Sequence, residues 1–400
     1  HTVPQAGEEN FGTWGLNGWQ DRQGPGGWVN FPIDVENDML YMAIGQPTDQ
    51  NWGGNRPGSN LYSSSLVALQ ASTGKLKWFF QMAHHDNFDW DGNTPASLIT
   101  VNKDGKKIPA IAQSTKQGVM YIFNRLTGEA IFGTEERPVP LFDGVGDEMW
   151  PTQPFPIKPE PIARLGMTRE EVNKTSPASE KACKALFDQY VQAGPHTPYG
   201  MIPGLVFPSS EGGGTWAGTT YDPGRQLIFV NTRSLGTPAE LRPMMSSGVL
   251  PAYSKSKLAF DDPEGYPCSA PPWGELMAIN ADTADIVWRV PLGEYEELTK
   301  RGIPKTGTPN QGGLVATASG LLFIGATMDQ KFRAFDSKTG KELWSASLTN
   351  DAIATPISYM AKNGKQYVAV AVGGAGTGMP FKHPVIETPA NNVMVAYALP

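Results

Sequence analysis

The residues richest in chemistry lie in one short run, His84-His85-Asp86-Asn87-Phe88-Asp89-Trp90-Asp91-Gly92. Two histidines and three aspartates this close together are candidate metal ligands or general bases, although aspartates in such loops also cap turns. Asp89 and Asp91 are two apart. In an extended segment their side chains project to the same side, so both carboxylates would reach one ion. A second polar run, Ala43 to Arg56, includes Gln46, Asn51 and Asn55 and offers oxygen ligands of the kind a hard cation takes, or is merely solvated. Lys116 stands between Thr115 and Gln117, where two strands are expected. By residue type alone it is a surface charge. Trp28 follows Gly26-Gly27, and its indole is either a core residue or a flat platform for a planar ligand.

The elements that must position these residues show themselves as an internal repeat. Four segments share one pattern: Ala68 to Trp78, Ile122 to Phe132, Ala278 to Trp288 and Ala334 to Trp344. Each carries an apolar strand end, a polar pair, Thr-Gly or Thr-Ala, and a second strand closing on an aromatic residue, which is a β-hairpin with its turn in the middle. Companion strands such as Met39–Ala43, Leu227–Val230 and Leu321–Ile324 precede several of them. Four short strands per unit, repeated, predict an all-β fold, a β-propeller of antiparallel blades. About five units are expected, at residues 28–80, 95–135, 205–290, 308–348 and 350–400. Residues 138–203 read differently, as a Pro-rich insertion with two helical pieces on the propeller face. In it Thr168 and Glu171 are spaced as a capping box, and a helix begins near Ser176-Pro177 and runs to about Ala193.

Composition agrees with this and excludes other classes. The 400 residues contain 45 Gly and 35 Pro, which leaves little room for long helices. The net charge of −7, with no basic run, argues against nucleic acid as a partner. No apolar stretch reaches the length of a membrane span. The two cysteines, Cys183 and Cys268, form no zinc motif and by themselves are compatible with either redox compartment. The chain opens at His1-Thr2-Val3 without a leader pattern, so an export signal or anchor is expected upstream of His1.

Taken together, Trp28, the Gly45-Gln46 loop, Asn55-Arg56-Pro57-Gly58, Leu61 to Leu69, the His84–Gly92 run and Lys116 resemble the pyrroloquinoline-quinone (PQQ)-dependent dehydrogenases in order and spacing. The resemblance is nearest to the membrane-type quinoprotein glucose dehydrogenase and its soluble relatives. It extends through Pro151 to Pro156, Tyr266-Pro267-Cys268, Pro309 to Gly313 and Gln366 to Gly374, and so covers essentially the whole chain as one propeller domain, 1–400. That family builds eight blades, so the remaining ones are expected before His1 or supplied elsewhere.

The resemblance implies roles. Trp28 stacks on the quinone, Asp89 is the catalytic base, and Lys116 donates to the quinone oxygens. Gln46, Asp89 and Asp91 are the metal ligands, with Gln46 replacing the family's asparagine by an arm one methylene longer. Trp216, Asn310, Gln311, Gly374 and Ala375 fall at cofactor-contacting positions. The implied cofactors are PQQ and calcium or magnesium, with a lanthanide as the alternative. The implied reaction is oxidation of a sugar or alcohol hydroxyl: hydride goes to a quinone C5 polarised by the cation, and electrons pass on to ubiquinone or cytochrome c. An exported, periplasmic protein and a Cys183–Cys268 disulfide follow from the same likeness. A non-catalytic propeller scaffold for protein–protein binding in the cell envelope is the alternative function.

Overall fold

The computed structural model describes residues 1–15, 24–48, 50–92, 94–141, 146–209, 211–244, 252–373 and 392–398. Gly374 and Ala375 lie outside them. The first sheet runs β1 (Ile33–Asp34), β2 (Met39–Ala43), β3 (Ser65–Gln70) and β4 (Leu76–Gln81), each antiparallel to the next. The second is β5 (Ser97–Lys103), β6 (Lys106–Ser114) and β7 (Met120–Asn124). A fourth strand is replaced by one bridge, Phe123 to Ala130, before the chain leaves into the ribbon β8 (Thr134–Pro138) and β9 (Thr152–Pro156).

The stretch read as one unit from 205 to 290 divides in two. It holds β10 (Gly204–Val206), β11 (Thr220–Asp222), β12 (Leu227–Arg233), β13 (Thr237–Met244), β14 (Ala252–Lys257), β15 (Gly274–Asn280) and β16 (Ile286–Pro291). Of these, β11–β12–β15–β16 form the blade, while β10–β13–β14 form a separate small sheet. The non-blade material therefore continues past residue 203. Two sheets follow: β17 (Leu314–Ala316), β18 (Leu321–Ile324), β19 (Lys331–Asp336) and β20 (Glu342–Ser347), then β21 (Ile357–Met360), β22 (Gln366–Val372) and β23 (Val393–Ala398).

The sheets are blades because both faces of their central strands are apolar. All seven residues of β12 are buried. Alternate side chains point to opposite faces, so Ile228 and Val230 pack with Ile99, Val101 and Ile122 of the second blade. Leu227 and Phe229 turn the other way, onto Leu322, Ile324 and Phe335. Equivalent layers join the first blade to the second through Leu66, Trp78 and Phe123, and the last two through Phe323, Phe332, Val368 and Val370. Each neighbouring pair of blades shares one core layer.

The Thr-Gly turn and the closing aromatic cooperate between blades. The turn needs a left-handed residue, supplied by Gly128 (φ 79°) and Gly340 (φ 69°), and by Ala284 (φ 57°) in the Thr-Ala hairpin. Trp78 lies on Gly128, where a Cβ would come within 2.8 Å of the indole, and its Nε1–H donates to Arg125 O at 2.9 Å. Trp288 repeats this on Gly340 and Ser337. The aromatic of one blade is thus keyed into the turn of the next.

In the insertion, helix α1 (Pro177–Phe187) starts with Ser176 accepting from Ser179 N–H and Pro177 in the first turn. It ends six residues before the expected Ala193, with Tyr190 packed on Phe260. Glu171 accepts from Thr168 N–H, as the capping-box spacing predicts, over a single 3-10 turn. Cys183 and Cys268 are disulfide-bonded and tie this helix to the loop ahead of β15. Among the described residues, no helix is long and apolar enough to cross a membrane.

Candidate active site

Three backbone hydrogen bonds gather the site. Gly45 N–H donates to Gly26 O (2.8 Å), drawing in the segment that carries Trp28. Ser64 N–H donates to Gly45 O (2.8 Å), and Gly92 N–H to Ile44 O (3.1 Å), which brings the Asp89–Asp91 loop alongside. Gln46 N–H faces Asp91 Oδ1 at 3.3 Å. Only glycine fits at position 45: a Cβ there would stand 2.9 Å from Asp91 Oδ1 and 3.1 Å from Gly26 O.

These loops line a cavity of about 550 Å³ whose wall includes Trp28, Gln46, Asn51, Asp91 and Lys255. Trp28 is not core: its ring is 57% exposed, and it faces this space. The Lys116 ammonium is buried, 2.6 Å from Asp91 Oδ2, 3.7 Å from Asp89 Oδ1 and 2.7 Å from Asp89 O. Burial opposes its charge, but Asp89 and Asp91 outweigh burial and raise its pKa above that of an ordinary lysine. It is no surface charge. Its loop is fixed from behind, where Gly213 N–H donates to Lys116 O and Arg233 Nε–H holds Gly212 O.

Asp89 and Asp91 do converge on one partner, but not through extended backbone. Asp89 is left-handed (φ 65°), a conformation a non-glycine residue keeps only where its surroundings impose it. Here Asp86 imposes it, accepting Phe88 N–H at 2.8 Å and Trp90 N–H at 3.0 Å from either side of Asp89. Phe88 and Trp90 stack at 4.4 Å, with His196 edge-on to both. Burial raises the pKa of Asp89, and Lys116 and Lys255 offset this only in part. Burial likewise pushes Asp86 up to about 6.

The two histidines of the run are structural. His85 joins Gly58 O and Asp147 Oδ1, and His84 joins Gln81 and Glu136. Asn310 is fully buried, bonded to Thr232 O and Asn231, and braces Arg233 through its carbonyl; it is not on the cavity wall. Neither are Trp216, which is half-buried, and Gln311, whose N–H donates to Ala326 O. Lys255 was not legible beforehand. It reaches the wall from β14, 3.7 Å from Asp89 Oδ2 and over the Tyr199 ring. Burial lowers its pKa to about 8, more than Asp89 restores.

The donor set suits a flat, multiply anionic quinone: an exposed indole face, two buried ammonium groups and the buried Asn51 Nδ2 on the wall, which has no hydrogen-bond partner among the described residues. If Gln46, Asp89 and Asp91 held a cation, they would supply only part of the six to eight oxygens that calcium takes. Among the described residues no cluster of three His, Cys, Asp or Glu side chains joins them.

Residues 1–368 match the family model for the PQQ glucose/ethanol/alcohol dehydrogenase β-propeller domain, and the chain belongs to that family. It is 33% identical over 382 residues to the quinate/shikimate dehydrogenase (quinone) of Acinetobacter baylyi, covering 88% of this chain and 47% of that protein. It is 32% identical over 403 residues to the quinoprotein glucose dehydrogenase of Escherichia coli, covering 94% and 49%. Among solved structures, a europium-containing methanol dehydrogenase shares the fold, with a TM-score of 0.63 at 24% identity over 87% of this chain and 51% of that one. The chain spans about half the length of the curated relatives it matches.

Proposed function

We propose that this chain forms the quinone-binding and substrate-oxidising part of a PQQ-dependent dehydrogenase acting on a sugar or alcohol hydroxyl, with Asp89 as general base. The observation that carries this is one cavity bordered by Trp28, Asp91 and Lys255, with Asp89 and Lys116 in direct contact with its wall. When bound, PQQ supplies the two-electron acceptor, the part of the chemistry that side chains cannot provide. Trp28 offers the flat apolar face, and Lys116, kept protonated by two carboxylates, is a hydrogen-bond donor to the quinone oxygens. Asp89 takes the proton of the substrate hydroxyl, and its left-handed backbone aims the carboxylate between Lys116 and Lys255. Gln46, Asp89 and Asp91 would share a divalent cation, calcium or magnesium.

Relatives differ in substrate, from quinate/shikimate to glucose by their names. Ubiquinone or a cytochrome c is the expected acceptor. An exported, periplasmic location fits the disulfide. A non-catalytic scaffold would gain nothing from burying two lysines against two aspartates, whose desolvation is costly. The test is Asp89→Asn in the holoenzyme. It keeps shape but removes the base, so dye-coupled turnover should fall by roughly 10²–10⁴-fold with quinone affinity retained. Retention of more than half the activity would refute the role.

A further inference from the structure

The charges around the cavity do not pair off evenly. Glu211 is taken by Lys257, and Asp91 by Lys116. The Asp89 carboxylate is left between Lys116 and Lys255, 3.7 Å from each ammonium and beyond hydrogen-bond distance of both. Lys255 is thus a lysine side chain only 9% exposed, on the cavity wall. Among the described residues its Nζ has no hydrogen-bond acceptor, only the Tyr199 face at 5.4 Å and the distant Asp89 carboxylate. An ammonium carries three N–H donors, and here they open onto the cavity with no acceptor among the described residues within hydrogen-bond distance. The group that would satisfy them is an anion entering from the cavity.

We propose that Lys255 is the carboxylate-binding residue of the substrate pocket, and that the substrate is a polyhydroxy acid, not a neutral sugar or alcohol. This rests on the quinone-dependent oxidation proposed above. A carboxylate hydrogen-bonded to Lys255 and a hydroxyl hydrogen-bonded to Asp89 could be at most roughly 9 Å apart, which every ring position of a hydroxylated cyclohexane carboxylate satisfies. The lysine is also what makes an acid admissible. Asp89 and Asp91 would repel a second anion, and an ammonium interposed beside Asp89 cancels that repulsion. Carboxylate recognition could instead serve the quinone, which carries carboxylates of its own. Proximity to the proposed base places Lys255 at the substrate end.

The test compares the holoenzyme with Lys255→Gln and Lys255→Arg, after thermal melting shows each variant folded. Turnover is measured on gluconate against sorbitol and on a tetrahydroxycyclohexane carboxylate against inositol. Calorimetry follows binding of cyclohexanecarboxylate against its neutral carboxamide, and PQQ affinity is read from quenching of tryptophan fluorescence. The wild type should favour the acid in each pair. Lys255→Gln should lower the acid-to-neutral ratio of kcat/KM by roughly 10- to 100-fold, chiefly through KM, and weaken carboxylate binding by a similar factor. Lys255→Arg should restore much of both. A wild type indifferent to the carboxylate, a ratio unmoved in Lys255→Gln, or a loss confined to PQQ affinity would overturn the proposal. A protein that binds no PQQ and oxidises none of these compounds would instead refute the function on which it rests.

Discussion

Asp86 Oδ2 accepts the backbone N–H of Trp90 at 3.0 Å and so closes a turn over Asp89. Its other oxygen holds Phe88 N–H, and Ser64 Oγ–H donates to Oδ2. Asp86 is fully buried, so removing its carboxylate leaves backbone donors without acceptors, at roughly 1–3 kcal/mol each. Asp86→Ala should therefore lose about 2–4 kcal/mol in urea unfolding and, because the Asp89 carboxylate is no longer aimed, at least about tenfold in turnover. Asp86→Asn retains one acceptor and should fall between. Unchanged stability and turnover in Asp86→Ala would remove Asp86 from the positioning of the base.

Metal preference should be that of a divalent site. A trivalent ion gains most from an extra carboxylate, but Asp91 already balances Lys116 at 2.6 Å. Apoenzyme reconstituted with PQQ should be activated by calcium or magnesium and not by lanthanum, and Asp91→Asn should leave that order intact while lowering turnover. Activation by lanthanum that disappears in Asp91→Asn would reverse the assignment.

His196 predicts an acid sensitivity. It sits against Phe88, Trp90 and Phe155, neither ring nitrogen has a hydrogen-bond partner among the described residues, and burial lowers its pKa to about 3. The unfolded chain, with a pKa of about 6.5, binds the proton more readily. The neutral-histidine contribution to stability is then complete above pH 6.5 and is lost as pH falls toward 3, by about 1.4 kcal/mol per pH unit. His196→Asn cannot be protonated and tolerates the left-handed backbone at this position (φ 60°). Urea midpoints between pH 6.5 and 4 should decline less steeply in the variant. Parallel slopes would show that His196 is not the group responsible.

What the sequence revealed was local. The Thr-Gly hairpins were readable because their turns need a left-handed residue at a fixed place, and the blade strands because both faces are apolar. Trp28, Asp89 and Lys116 were singled out only through the resemblance to the PQQ-dependent dehydrogenases; by residue type alone they were ambiguous. Lys255 was not singled out, because it reaches the cavity through the small sheet β10–β13–β14, whose pairing the chain order hides inside what read as one blade. Alternation along a strand suggested that Asp89 and Asp91 share one ion. What the structure shows is both carboxylates facing Lys116, with Asp89 left-handed and Asp86 bonded to the backbone on either side of it. Asn310, which the resemblance implies as a cofactor contact, does not line this cavity; its carbonyl accepts from the Arg233 that holds the Lys116 loop.

The central claim is that the cavity beside Trp28 is the quinone site, and titration of the purified protein with PQQ tests it most directly. Quenching of tryptophan fluorescence should saturate at one PQQ per chain, with a dissociation constant of roughly micromolar or tighter. Loss of the stacking face in Trp28→Ala should weaken binding by about tenfold or more while the fold, read by circular dichroism, is kept. Absence of saturable binding, or equal affinity in Trp28→Ala, would contradict the account.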